Sequence, residues 1–285
     1  MYQKLISFLF ALTTAVVVSC TKSQNLTPVH VSVEDFLITI DSFSDTKTKV
    51  APGNYNGVKA LTLAFYDSDN AEAYKSTQLK TDDGFGEFSL ALAPDTYTMV
   101  VVGYGIYDDE VFTLTSPTVA GFTTDCRETF VATQEVTVSG TAAVELSATL
   151  DRIVAKLMVI STDDRPEGVA RIRMGFSAGN KSFNPSTGLA TSNTSFSNSV
   201  GISAPVGDPT SSVCYLFLSS DEQNINVTID ALDADNNVLF ERIVPDVPFQ
   251  RNRCTKLTGS VYSVPASAGS FLLNKNWEDD YEQSF

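Results

Sequence analysis

Alternation constrains this chain more than any other feature. From Val29 onward apolar and polar side chains exchange at a period of two, and each run stops at a cluster of turn residues. Val29-His30-Val31-Ser32-Val33 sets the pattern and Phe36-Leu37-Ile38-Thr39-Ile40 continues it. Glu34-Asp35 between them shifts the phase by one residue, which predicts a bulge. Val58 to Tyr66 ends at Asp67-Ser68-Asp69-Asn70, Phe85 to Leu92 turns through Ala93-Pro94-Asp95 into Thr96 to Val102, and Thr129 to Val138 and Ala143 to Leu150 follow. The longest helix-compatible stretch in this half is Ala71 to Lys75, a turn or two at most. A second series begins after Asp151: Ile153 to Ile160, Val169 to Phe176, Val213 to Leu218, Ile225 to Ile229, Val238 to Ile243, Lys256 to Tyr262 and Ser270 to Leu273. Between them, the Ser-, Asn- and Gly-rich stretch Ala178 to Val206 reads as a long insertion loop. The expectation is an all-β chain of two tandem antiparallel β-sandwich domains, 29–150 and 151–285.

The first residues follow other rules. Lys4 is the only cation before an apolar run that continues to Val18, shorter than the roughly 20 residues a membrane-spanning helix needs. The run ends in Val17-Val18-Ser19-Cys20, which resembles the lipobox of bacterial lipoproteins. Residues 1–19 are therefore expected to be a signal peptide and Cys20 the acylated residue, with 20–28 as a polar tether. Acyl chains there would hold the body to the outer membrane, since each buried methylene contributes ~0.8 kcal/mol.

Charge narrows the partners. The chain holds 19 basic and 34 acidic residues, and losing Lys4 with the signal leaves 18 − 34 = −16. Such a body does not seek nucleic acid. Its single histidine, His30, lies near the tether, which leaves no histidine in the body for a catalytic triad and too few for a multi-histidine metal site. Beyond Cys20 there are three cysteines, so at most one internal disulfide forms; Cys214 and Cys254, on expected strands of one domain, are the candidate pair. Asp233-x-Asp235-x-Asn237 has calcium-loop oxygen spacing without the glycine or the distal glutamate, and a hairpin turn accounts for it better. Asp108-Asp109-Glu110 and Glu278-Asp279-Asp280 read as solvated acidic runs. The glycines of Gly84-Phe85-Gly86 and Gly103-Tyr104-Gly105 read as turn glycines, because no helix follows to hold a phosphate. No cofactor, metal or enzymatic chemistry is expected.

Four stretches carry a family resemblance. Val247-Pro248-Phe249-Gln250-Arg251-Asn252-Arg253-Cys254-Thr255-Lys256-Leu257-Thr258-Gly259 resembles the V-P-x-x-R-N-x-x-T-x-x-x-G signature of Bacteroidales fimbrillins. Leu150-Asp151-Arg152-Ile153-Val154-Ala155-Lys156 is similar to the L-x-R-x-V-A-K strand that opens their second domain. Leu90 to Tyr97 resembles the L-x-L-x-P-G-x-Y hairpin of their first, with Asp95 at the glycine position, and Asn274-Lys275-Asn276-Trp277 resembles their terminal strand. The resemblance implies transthyretin-like sandwiches and a fimbrial subunit that assembles with others by strand exchange, in which a neighbour's strand replaces a proteolysed first strand. Here that strand is Val29 to Phe43, with Lys47 and Lys49 as candidate cleavage residues after it. The family's polymerising members mature at an arginine there; no arginine precedes Arg127, which favours an anchor or accessory subunit that keeps its lipid. Without the resemblance, Arg152, Lys156, Arg251 and Arg253 read as structural ion-pair partners on a strand face, with ligand binding as the alternative. The competing function is a surface adhesin lipoprotein that binds a host protein or glycan and builds no pilus, with Ala178 to Val206 as its platform.

Overall fold

A computed structural model of the chain describes residues 25–39, 47–106, 111–140, 142–263 and 272–274. The signal peptide, Cys20, most of the tether, residues 40–46, both acidic runs and Trp277 lie outside them.

The described residues form twenty strands. In the first half these are β1 (Thr27–Thr39), β2 (Lys47–Val50), β3 (Ala60–Tyr66), β4 (Glu72–Leu79), β5 (Glu87–Leu92), β6 (Asp95–Tyr104), β7 (Phe112–Ser116), β8 (Val119–Phe122), β9 (Thr129–Val138) and β10 (Val144–Arg152). The second half holds β11 (Ala155–Asp164), β12 (Arg171–Phe176), β13 (Ser182–Asn184), β14 (Leu189–Ala190), β15 (Phe196–Gly201), β16 (Pro209–Leu216), β17 (Glu222–Leu232), β18 (Val238–Gln250), β19 (Cys254–Gly259) and β20 (Leu272–Asn274).

Each half is a two-layer sandwich, and the two halves share one topology. In the first, layer β5-β1-β10 faces layer β4-β3-β6-β9; the layers join only where Asp151 and Arg152 of β10 pair with Val131 and Phe130 of β9. In the second, β16-β11-β19 faces β15-β12-β17-β18. Strand for strand the order is the same, with β2 and β20 as additions. The leading strand of each half sits inside its layer and pairs in parallel with a late strand, β1 with β10 and β11 with β19. The sheets are antiparallel apart from this one parallel pair in each half, where a first strand and a last strand that run the same way have no hairpin to join them.

Alternation places the cores. Val29, Val31 and Val33, then Phe36 and Ile38, all face the first core, with Leu63, Phe65, Met99, Val101 and Phe130 among those opposite. The phase shift expected at Glu34-Asp35 is a register shift in the β1–β10 ladder, where Val33 pairs with Ala148 but Asp35 with Thr149. The second core lies between β11, β12, β16 and β17, around Leu157, Met174, Leu216 and Ile229.

A third cluster joins the halves. Every residue of β3 is buried, because the face of β3 and β6 away from the first core is also covered. The cover is a small sheet of order β14-β13-β8-β7, two strands from each half. Gly121 permits the crossing, since a Cβ there would stand 2.8 Å from Ser182 Cα. Phe122, Phe183 and Phe217 fill the seam, with Phe183 and Phe217 at 4.5 Å between ring centroids.

Two sequence expectations are corrected. Of the helix-compatible stretch Ala71 to Lys75, Glu72 to Lys75 are extended in β4 and Ala71 ends the turn before it; β4 is an edge strand in which no residue is fully buried, so the apolar half of its alternation is weak. Ala178 to Val206 is no free loop: it contains β13, β14 and β15. Its asparagines fold it by capping backbone. Asn180 Oδ1 accepts from the N–H groups of Lys181 and Ser182, and Asn198 Nδ2 donates to Tyr215 O at 2.7 Å.

Candidate functional site: the first strand and the cleft beside it

β1 is an interior strand with neighbours on both sides. β10 pairs along it from Val29 to Leu37, while β5 and β2 share the other side, β5 up to Ser32 and β2 from Phe36. The five core side chains of β1 represent about 1.5–3 kcal/mol each, as an upper estimate of burial before chain entropy.

Both candidate cleavage lysines lie in β2, and both form ion pairs. Lys49 Nζ is 3.4 Å from Asp35 of β1. Lys47 pairs with Asp151 of β10, and because β1 runs between β2 and β10, this contact bridges β1 on the face turned away from the core. Both lysine side chains remain substantially exposed.

The quoted arginine motifs converge beside this point. Where β9 and β10 separate after their two-residue pairing, a cleft of about 580 Å³ opens between the halves, and Lys47, Asp151, Arg152, Arg251, Asn252 and Arg253 all reach it. Arg251 and Asn252 occupy the turn between β18 and β19 rather than a strand, a correction to the alternating-face expectation. Asn252 adopts φ 59°, a left-handed conformation that asparagine tolerates better than most residues. Arg251 Nη2 is 2.7 Å from Asp221, and Arg251 Nη1 donates to Thr187 O at 2.9 Å. Gly188 leaves room for it, since a Cβ at this position would sit 2.8 Å from that same Nη1.

Arg152 has a different environment. Its side chain is fully buried, with Nε 2.9 Å from Glu128 Oε1 and Nη2 donating to Tyr55 Oη at 2.7 Å. Tyr55 donates in turn to Glu128 Oε1 at 2.5 Å. The guanidinium lies 5.1 Å from the Phe130 ring centroid, and Nη1 reaches Asn252 Oδ1 at 3.4 Å. Burial, reinforced by the Glu128 carboxylate, pushes the Tyr55 phenol far above its ordinary range, so it stays a donor. This is a paired, hydrogen-bonded buried charge that ties β10 to the β18–β19 turn. Sequence reading identified Arg152 but missed Glu128 and Tyr55. The available signal was physical: a cation inside Leu150-x-Arg152-x-Val154 needs an anion, and Glu128 abuts the apolar start of β9.

The remaining candidates resolve simply. Cys126, Cys214 and Cys254 are buried free thiols. Cys214 pairs with Leu157 on one side of β11 and Cys254 with Lys156 on the other, so the two sit one strand apart with a one-residue offset that points them to opposite faces. Two strand spacings of about 4.8 Å exceed the reach of a disulfide, and the expected pair does not form. Burial raises both thiol pKa values. In the Asp233 turn, Oδ1 accepts from the N–H groups of Asp235 and Asn237 and Oδ2 from Asn237 Nδ2, as a hairpin requires.

Residues 29–284 match a family described only as of unknown function (DUF6562). The chain belongs to that family. No curated protein matches it. Among solved structures, a Bacteroides ovatus protein described as a candidate adhesin is similar to it, with 13% identity, 90% of this chain and 97% of the other covered, and a TM-score of 0.51. The fimbrial anchor protein Mfa2 from Porphyromonas gingivalis aligns over 89% of this chain and 98% of its own, at 13% identity and a TM-score of 0.48. The DUF6562 chain thus has the all-β sandwich fold that its alternation predicts, and it shares that fold with the Bacteroides ovatus protein.

Proposed function

We propose that this chain is a non-enzymatic, lipid-anchored cell-surface protein that serves as a fimbrial subunit, as anchor or accessory rather than polymerising shaft. Cys20 carries the lipid, and other subunits dock by strand exchange. The observation that carries the reading is the position of β1, an N-terminal strand that lies inside its layer, fills one wall of the first core and is followed by lysines in an edge strand. Removing such a strand leaves a long apolar groove flanked by two unpaired ladders, which is the acceptor geometry of β-augmentation. The placing of both lysines in β2 supports retention, because β2 is laddered to β1 from Phe36 to Thr39 and cleavage there requires that ladder to open.

Two measurements test this. Mass spectrometry of cell-derived protein should find a diacylated Cys20 N-terminus; a free N-terminus directly after Lys47 or Lys49 would move the assignment to a polymerising subunit. Truncation at Thr46 should leave a protein that fails to fold as a stable monomer. A monomer that melts as the full chain does would sink the role given to β1, and regular SDS-resistant multimers would also favour the shaft.

A further inference from the structure

The cleft between the halves has features that strand exchange does not use. In a chain of formal charge −15, Lys47, Arg251 and Arg253 gather around one cavity against Asp151 and Asp221, with Arg152 behind them already paired with Glu128. Its volume of about 580 Å³ falls within the range of small-ligand sites. Beyond the charges, much of the wall is hydroxyl and amide: Thr133, Thr149, Ser186, Thr187, Gln250 and Asn252. The wall is braced from both halves. Thr133 Oγ1 donates to Pro185 O at 3.1 Å and Ser186 Oγ to Pro117 O at 2.9 Å, which fixes the β13–β14 turn over the cavity.

Arg251 is the group best placed to receive a ligand. Its partner Asp221 has a side chain 70% exposed, and an ion pair so open to solvent adds little stability. A carboxylate entering the cleft can take the guanidinium fork in place of Asp221, with the Thr187 contact keeping the fork aimed. Lys47, also half-exposed, supplies a second cation to the same cleft.

We propose that this cleft is a binding site for a carboxylate-bearing saccharide, with Arg251 and Lys47 meeting the acid and the Thr, Ser, Gln and Asn side chains meeting the sugar hydroxyls. Walls rich in hydroxyls and amides match the many hydroxyls of a sugar, which an acidic peptide lacks. The site deepens the glycan-binding alternative and is independent of strand exchange, so its failure leaves the fimbrial reading intact.

Calorimetric titration of the full folded chain with tetragalacturonate, its fully methyl-esterified form and tetraglutamate provides the test. The acid saccharide should bind saturably and the ester, which keeps the hydroxyls but loses the charge, should not. Arg251→Gln and Lys47→Gln should each weaken binding about tenfold, the loss of one charge-assisted contact. Asp221→Asn, which removes the internal competitor, should tighten binding several-fold, a gain that a merely structural arginine would not produce. Thermal melts of each variant separate lost binding from lost folding. The proposal is overturned by absence of binding, by equal binding of the ester or of tetraglutamate, or by acid binding indifferent to all three substitutions.

Discussion

The two halves solve one topology with opposite connections. In the first half the link from β3 to β4 is the five-residue turn Asp67 to Ala71, and the link from β6 to β9 carries the β7–β8 hairpin. In the second half these choices are exchanged. The link equivalent to β6–β9, between β17 and β18, is the turn Asp233 to Asn237, and the link equivalent to β3–β4, between β12 and β15, carries β13 and β14. The two tight turns are chemically alike. Asp67 and Asp233 each accept two backbone N–H groups through Oδ1, and Asn70 and Asn236 both adopt positive φ, 61° and 69°. The inserted hairpins, one from each half, pair with each other through β8 and β13. A repeated sandwich thus becomes one body because each half extends a different loop towards the other.

The comparison is most exposed to a graft that replaces residues 105–127 with the short Asp233–Asn237 turn. This makes the first half imitate the second and strips the cover from Tyr66, Val100 and Val102, each worth about 1.5–3 kcal/mol of burial. Calorimetry should then resolve two unfolding transitions in place of one, with the first half lowered by roughly 10 °C or more. One cooperative transition at the parental temperature would show that the hairpins do not couple the halves. Glu128, the partner of Arg152, stays at the junction, so the result reports on the hairpin alone.

A smaller effect should follow from Arg152→Ala, which strands Glu128 and Tyr55 without their cation. Breaking a buried pair costs about 3–5 kcal/mol. The paired change Arg152→Met with Glu128→Gln should recover much of that loss in urea denaturation. A single variant as stable as the parent would mean that the network does not brace the junction.

The smallest expected effect addresses the equivalence of the turns. Asn70→Ala and Asn236→Ala should each cost about 1–2 kcal/mol, because both place a non-glycine Cβ in the left-handed region, and Asn→Gly at either position should cost far less. Unequal losses from the two alanine variants would separate turns that the topology treats as one.

How much of this was legible in the sequence depended on how many faces of a strand are covered. β9 was read to the residue, and β1 with its bulge nearly so, because one buried face leaves a period of two. Met99-Val100-Val101-Val102 in β6 lacks that period because both of its faces are buried, yet its apolar length still marked a strand. The β7–β8 hairpin and β13 to β15 were missed for a different reason. Their stability comes from pairing with each other or with β12, across chain distances that local patterns do not report. The cleft was half visible. Arg152 and Arg251 to Arg253 stood out as motifs, but nothing local places Arg251 beside Lys47, or shows that Arg152 is committed to Glu128 and Tyr55 inside the protein.

The parallel pairing of β1 with β10 also sets an order of events. Val29 lies against Val144, so the strand that leaves the ribosome early meets its long-lived partner only after nearly all of the first half has been made. β5, which pairs with the other side of β1, arrives sooner, but a two-stranded contact is marginal in water. Closing so long a loop is slow, as non-local strand pairings are. The nascent first half therefore passes through a period in which its groove exists and its own strand has not yet settled there. During that interval any extended apolar segment nearby competes for the same ladder, and retention of β1 becomes a race decided by effective concentration, which the covalent link through residues 40–46 tilts in its favour.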